Sequence, residues 1–177
     1  PTGHPRGSVR HDGKMSARRF AAVPGWMVAL TVGCGSTADR NSAAADTAFS
    51  ALQARGATAM GVDQYTSAHV FEALPDGGRI VLQRQEDDPE GTATIRAHMA
   101  DIASRFGAGD FSIPGFVHDQ KVPGTDVMAE RASLISYAVD TLPRGGQVRL
   151  TTTDPAAIAA IHDFLGFQRH DHRASGH

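Results

Sequence analysis

Apolar residues in this chain follow two different periods, and the change from one to the other happens twice. Around Val148 and Leu150 they alternate with Gln147 and Arg149, the period-two pattern of a half-buried strand. Further on, Ile158, Ile161 and Leu165 recur at helical spacing, as Ile95, Met99, Ile102 and Phe106 do earlier.

The two alternations belong to an internal echo. The first copy runs Pro75-Asp76-Gly77-Gly78, Arg79-Ile80-Val81-Leu82, then Asp88-Pro89 and a helical segment. The second runs Pro143-Arg144-Gly145-Gly146, Gln147-Val148-Arg149-Leu150, then Asp154-Pro155 and another helical segment. Strand-like runs precede each Gly-Gly, His69–Ala73 and Ile135–Thr141. Gly-Gly supplies the positive φ values of a tight hairpin. Aspartate before proline opens a helix, because the carboxylate caps free N–H groups and proline suits the first helical position. The pattern predicts an α+β fold: two β-β-α repeats forming a four-stranded antiparallel sheet with two helices on one face. The strand order stays open.

Outside the repeats the periodicity fades. Gly107–Met128 is rich in Gly and Pro and predicts a long loop carrying Asp110, His118 and Met128. Gly35–Asp46, rich in Ala, Ser, Thr and Asn, predicts a tether within a linker over 35–60, with a short helix at Thr47–Arg55. The folded domain is expected over 61–172 and a polar tail over 173–177.

Charge divides the chain. Residues 1–33 carry five Lys/Arg against Asp12 alone, leaving 12 basic and 18 acidic side chains in the remainder. An acidic domain repels phosphate backbones, which argues against a nucleic-acid partner. Met15, Arg18-Arg19, the apolar run Phe20–Val32 and Gly33-Cys34-Gly35-Ser36 read as a signal peptide over 15–34, with 1–14 an upstream extension. Leu30-Thr31-Val32-Gly33-Cys34 resembles the lipobox of bacterial lipoproteins, with Thr31 where leucine is usual. That implies export to the periplasm or outer surface, with lipid at Cys34 as the only membrane anchor. The alternative is a plain signal peptide with an incidental cysteine. Cys34 is the only cysteine, so no intramolecular disulfide forms.

Seven of the nine histidines follow Cys34. His98 falls on the stripe with Ile95 and Ile102, and His162 on the one with Ile158 and Leu165, so one histidine per helix is expected to face the same sheet. Neutral imidazole is the commonest protein metal ligand. With His118 and Met128 closing from the central loop, and His69 and His172 nearby, the set points to copper, or less readily zinc, because a thioether favours Cu(I). The competing reading makes these core histidines in a structural or interaction module that binds another envelope protein without metal. No HExxH, paired-cysteine, G-x-S-x-G, P-loop or dinucleotide motif is present, which leaves an enzyme without a catalytic signature.

The span from Gly61 to His172 resembles a family of small exported bacterial proteins. The landmarks are Gly61-Val62-Asp63-Gln64, Ile95-Arg96-Ala97-His98-Met99, Gly109-Asp110-Phe111, Val117-His118, Ala160-Ile161-His162-Asp163-Phe164-Leu165, Phe167-Gln168 and Asp171-His172. The resemblance implies a shared fold and points to His69, His98, His118, Met128, His162 and His172. Val70 departs from it, standing where many relatives have a second consecutive histidine. Similar sequences sometimes carry an aspartate carbamoyltransferase label. This chain is too short for that two-domain enzyme and lacks its Ser-Thr-Arg-Thr motif.

Overall fold

The two hairpins turn on proline. In the computed structural model, which describes residues 37–174, strand β1 (Ser67–Leu74) returns as β2 (Gly77–Arg84), and β3 (Ser136–Leu142) returns as β4 (Gly145–Thr151). The two-residue turns are Pro75-Asp76 and Pro143-Arg144, so the Gly-Gly pairs open the return strands instead of forming the corners. Of the four glycines only Gly77 has positive φ, at 137°. The others serve close approach. A Cβ on Gly145 would lie 2.0 Å from the Leu82 carbonyl oxygen, and one on Gly78 would lie 2.2 Å from Leu165 Cδ1.

The sheet is antiparallel throughout, in the order β1-β2-β4-β3, so the hairpins join through their second strands. Helix α2 (Pro89–Gly107) follows the first hairpin, and α5 (Pro155–Asp171) follows the second. Each starts as expected: Asp88 accepts from Gly91 N–H, Asp154 accepts from Ala157 N–H, and proline stands in the first turn. Each then crosses to the other hairpin, α2 onto β3 and β4, α5 onto β1 and β2. Both lie on one sheet face, where Phe71, Ile80, Leu82, Val148 and Leu150 meet Ile95, Met99, Phe106, Ile161, Phe164 and Leu165 in a single core. The opposite face is mostly polar apart from the Val70–Val81 pair, with an Arg79–Glu72 ion pair and a 3.1 Å bond from Gln147 Nε2 to Asp140.

Two expected irregular segments are helical. The predicted linker is one helix, α1 (Thr37–Met60). Its alanine content favours helix even without an apolar face, and Leu52, Gln53, Gly56 and Met60 in its second half are buried. The folded region therefore begins upstream of Gly61. The predicted central loop contains α3 (Ser112–His118) and α4 (Thr125–Glu130). No helix among the described residues is long and apolar enough to cross a membrane. The extension 1–14, the signal segment 15–34 with Cys34, and the last three residues of the predicted tail, ending in His177, lie outside the described residues.

Candidate functional site

Side chains from α1, β1, β2, α2, α3 and α5 converge beside β1. They line a partly open cavity of about 70 Å³. Four histidines from four elements line it: His69 from β1, His98 from α2, His118 from α3, and His172 at the C-cap of α5. The remaining wall is apolar apart from Gln64 and Gln168, and no carboxylate lines it. Met60 and Met99 are in the wall.

Two of the six predicted ligands stand elsewhere. His162 donates or accepts nothing in the cavity; its Nε2 is 2.9 Å from the Leu74 carbonyl oxygen, to which it donates. The buried stripe of α5 is Ala157, Ala160, Ile161, Phe164, Leu165 and Gln168, rotated away from Ile158. Small alanines let the helix approach closely on the side that a count of large apolar residues overlooks, and His162 is left at the margin. Met128 is fully buried core on α4, away from the cavity. Helix α4 begins against α5 at Gly124, where φ is 81° and a Cβ would lie 2.1 Å from the Ala160 carbonyl oxygen. That close packing turns Met128 into filler. The expected inner pair of His98 and His162 is thus not formed.

His118 is in the wall, but both ring nitrogens are taken. Its Nδ1 bonds the Asp171 carboxylate, and its Nε2 lies 2.8 Å from the side-chain oxygen of Gln168. The side chain is 0% exposed. Asp171, Gln168 and Gln64 carry sequence landmarks, yet nothing in the one-dimensional pattern gives them a role at this site.

The other three imidazoles are half-buried, and desolvation lowers all three. Burial pulls His69 down to about 4, with the neighbouring His98 adding to the effect. His172 falls to about 2, first through burial and then through His69 and His118. His98 is lowered by burial against a partial offset from Asp101. The rings of His69 and His172 are 5.0 Å apart centre to centre, and His118 meets His172 edge-on at 5.0 Å. His172 Nδ1 is buried without a partner. Among the described residues, no three His, Cys, Asp or Glu side chains are grouped so as to hold a metal ion as they stand.

The internal repeat supplies a comparison for this site. Aligned on Pro75/Pro143 and Pro89/Pro155, His69 matches Tyr137, His172 matches Phe106, His98 matches Phe164, and Gln168 matches Ile102. The ring pair His172–His69 therefore corresponds to Phe106–Tyr137, which pack edge-to-face at 6.1 Å with Phe111 stacked on Phe106 at 4.5 Å. One half of the domain fills this position with the Phe106 and Tyr137 rings, the Tyr137 hydroxyl buried without a partner. The other half places imidazoles there, beside a cavity. No protein-family model matches the chain, and no curated protein or solved structure matches it.

Proposed function

We propose that the domain binds one Cu(I) ion in the cavity, with His69, His98 and His172 as imidazole ligands and Met99 or Met60 as a thioether ligand. On this reading it is a copper-handling protein of the cell envelope, exported by its N-terminal segment and anchored by lipid at Cys34.

The observation that carries the proposal is the asymmetry between the halves. His69 and His172 stand on β1 and α5 where the β3–α2 half has Tyr137 and Phe106, His98 joins them from α2, and burial lowers all three imidazoles. A neutral imidazole coordinates without first losing a proton, so acid competes weakly with the metal. The wall favours a monovalent ion. A dication in an apolar space without carboxylates carries a large uncompensated charge, and thioethers select Cu(I) over Zn(II). Small rotations of the side chains are needed, and Cu(I) tolerates the two- or three-coordinate sets that such rotations give.

Titration of the full chain with Cu(I) against a chromogenic chelator is the test. One equivalent bound tightly by the wild type, and lost in His69→Ala/His98→Ala but kept in His162→Ala, fits the proposal. Equal binding by all three sinks it.

A second reading has its own observations. His162 and His118 are engaged by Leu74 and by Asp171 and Gln168, as packed histidines are. A metal-free module that binds another envelope protein extends that role to His69, His98 and His172. It predicts that no stoichiometric copper is taken up.

A further inference from the structure

The cavity has a wall with two sides. His69 and His172 line both the interior space and a surface groove of about 230 Å³ that also touches Gln53, Gln64 and Arg173. Any ion reaching the interior from this groove passes these two rings.

His172 is the one of the pair able to move away. His69 is fixed in mid-strand, paired with Leu82 in the sheet. His172 is on the final turn of α5, and three consecutive side chains there reach three different places. Asp171 bonds His118 on α3, His172 enters the cavity, and Arg173 pairs with Asp46 on α1 at 3.1 Å while its guanidinium lies 4.2 Å from the Phe49 ring centre. Arg173 holds φ at 51°, a left-handed conformation that a non-glycine residue adopts at a cost.

The seal is poorly satisfied. His172 Nδ1, Gln53 Oε1 and Gln64 Oε1 are all buried without partners, and all three residues line the groove. The Gln64 amide is oriented by its 3.3 Å bond from Nε2 to the Gln53 carbonyl, so the atom left unpaired is an acceptor. Buried unpaired polar atoms raise the free energy of the closed state and narrow its gap to an open one.

Resting on the copper reading for its cargo, we infer that the turn Asp171-His172-Arg173 is the port of the cavity. It carries His172 in as the last ligand and swings out to admit or release the ion. Asp171 and Arg173 are positioning residues that set how often it opens.

The test combines Asp171→Asn with Arg173→Ala in the full 177-residue chain and follows carbethoxylation of each histidine by peptide mass spectrometry. Labelling of His69 and His172 is expected to rise about tenfold, as the loss of two charge-assisted contacts implies, with His162 unchanged. Cu(I) transfer to a chelator should accelerate by a similar factor, with a smaller change in equilibrium affinity. Asp46→Ala, which removes only the ion pair of Arg173, should open the port more weakly and guards against misfolding of the double variant. Unchanged labelling at His69 and His172 in both variants overturns the port, as does a rise in both that is matched at His162. Opened labelling in a chain that never takes up Cu(I) keeps the port and removes the copper reading.

Discussion

Ile80 and Val148 hold the same place in their respective hairpins and face each other across the β2–β4 ladder. A two-fold axis relating the repeats passes between them. Gly78 pairs with Leu150 as Gly146 pairs with Leu82, and the Arg84 N–H to Arg144 carbonyl bond is repeated as Thr152 to Asp76. Across the same axis, Leu165 of α5 packs over Gly78 and Met99 of α2 over Gly146. Two copies of one β-β-α unit thus embrace like a dimer within one chain, each helix covering the other's hairpin.

The axis predicts unequal costs at matching glycines. At Gly78 a methyl group meets Leu165 Cδ1 at 2.2 Å and the Glu72 backbone oxygen at 2.7 Å, whereas at Gly146 the nearest atoms are at 3.3 and 3.4 Å. Gly78→Ala should cost about 2–3 kcal/mol through overpacking, and Gly146→Ala under about 1 kcal/mol. Urea unfolding midpoints of the two variants check this; equal shifts would contradict the packing described.

His162 should prove to be a structural cap. Its counterpart is Arg96, which donates to the carbonyls of Leu142 and Gly145 at 2.6 and 3.0 Å, while His162 donates to Leu74. Each helix ties down the last strand residue before the opposite hairpin's turn. His162→Ala should lose about 1 kcal/mol and Arg96→Met about 2 kcal/mol, charged donors being the stronger. Neither should alter Cu(I) uptake. A fall in copper affinity on removing His162 would return it to the site.

The repeat, both hairpins and both helix starts were legible in the sequence because they depend on local chemistry: Pro-x-Gly-Gly, alternation, and Asp-Pro caps. The candidate site was half legible. His98 could be placed because Ile95, Met99 and Ile102 mark its face unambiguously. His162 was misplaced because Ala157 and Ala160, the residues that define the buried face of α5, carry little hydrophobic signal. Met128 was misplaced because a Gly/Pro-rich segment conceals two short helices held by tertiary packing. The matching of His69 with Tyr137 and of His172 with Phe106 becomes readable only once the crossed helices show which half each side chain serves.

The metal-free domain should weaken in acid well above the range where carboxylates titrate. In the unfolded chain imidazoles titrate near 6.5, while burial holds His69 at about 4 and His172 at about 2 and lowers His98. His69 is faced by His98 from α2 and His172 from α5, His172 also by His118 from α3; Asp101, on α2 with His98, offsets only part. Above pH 6.5 these three are uncharged in both states and contribute no slope. Below it the unfolded chain takes up protons that the folded domain refuses, so stability falls by about 1.4 kcal/mol per pH unit for each of His69 and His172, with His98 adding in the same direction. The fall continues down to about 4, where His69 begins to protonate in the folded state. Urea unfolding from about pH 7.5 to about pH 5 should show it, and a flat profile would mean that the imidazoles are solvated.

If the domain is a duplicated unit with one half adapted for binding, the adapted half should accept the side chains of the other. His69→Tyr with His172→Phe reproduces the Tyr137–Phe106 pairing at the matching positions. The substitution removes two desolvated imidazoles and the unpaired Nδ1 of His172, adds one hydroxyl like the unpaired one of Tyr137, and fills part of the cavity with aromatic carbon. The double variant should therefore fold, hold its stability in acid better than the wild type, and take up no Cu(I). His69→Ala with His172→Ala removes the same ligands but enlarges the cavity, and should lose several kcal/mol. Thermal unfolding at neutral and mildly acidic pH, read beside copper binding, separates the alternatives. A Tyr/Phe variant that cannot fold means that the histidines are essential to packing and that the two halves are not interchangeable. One that folds but is no more acid-resistant means that burial of the imidazoles is not what makes the domain acid-sensitive.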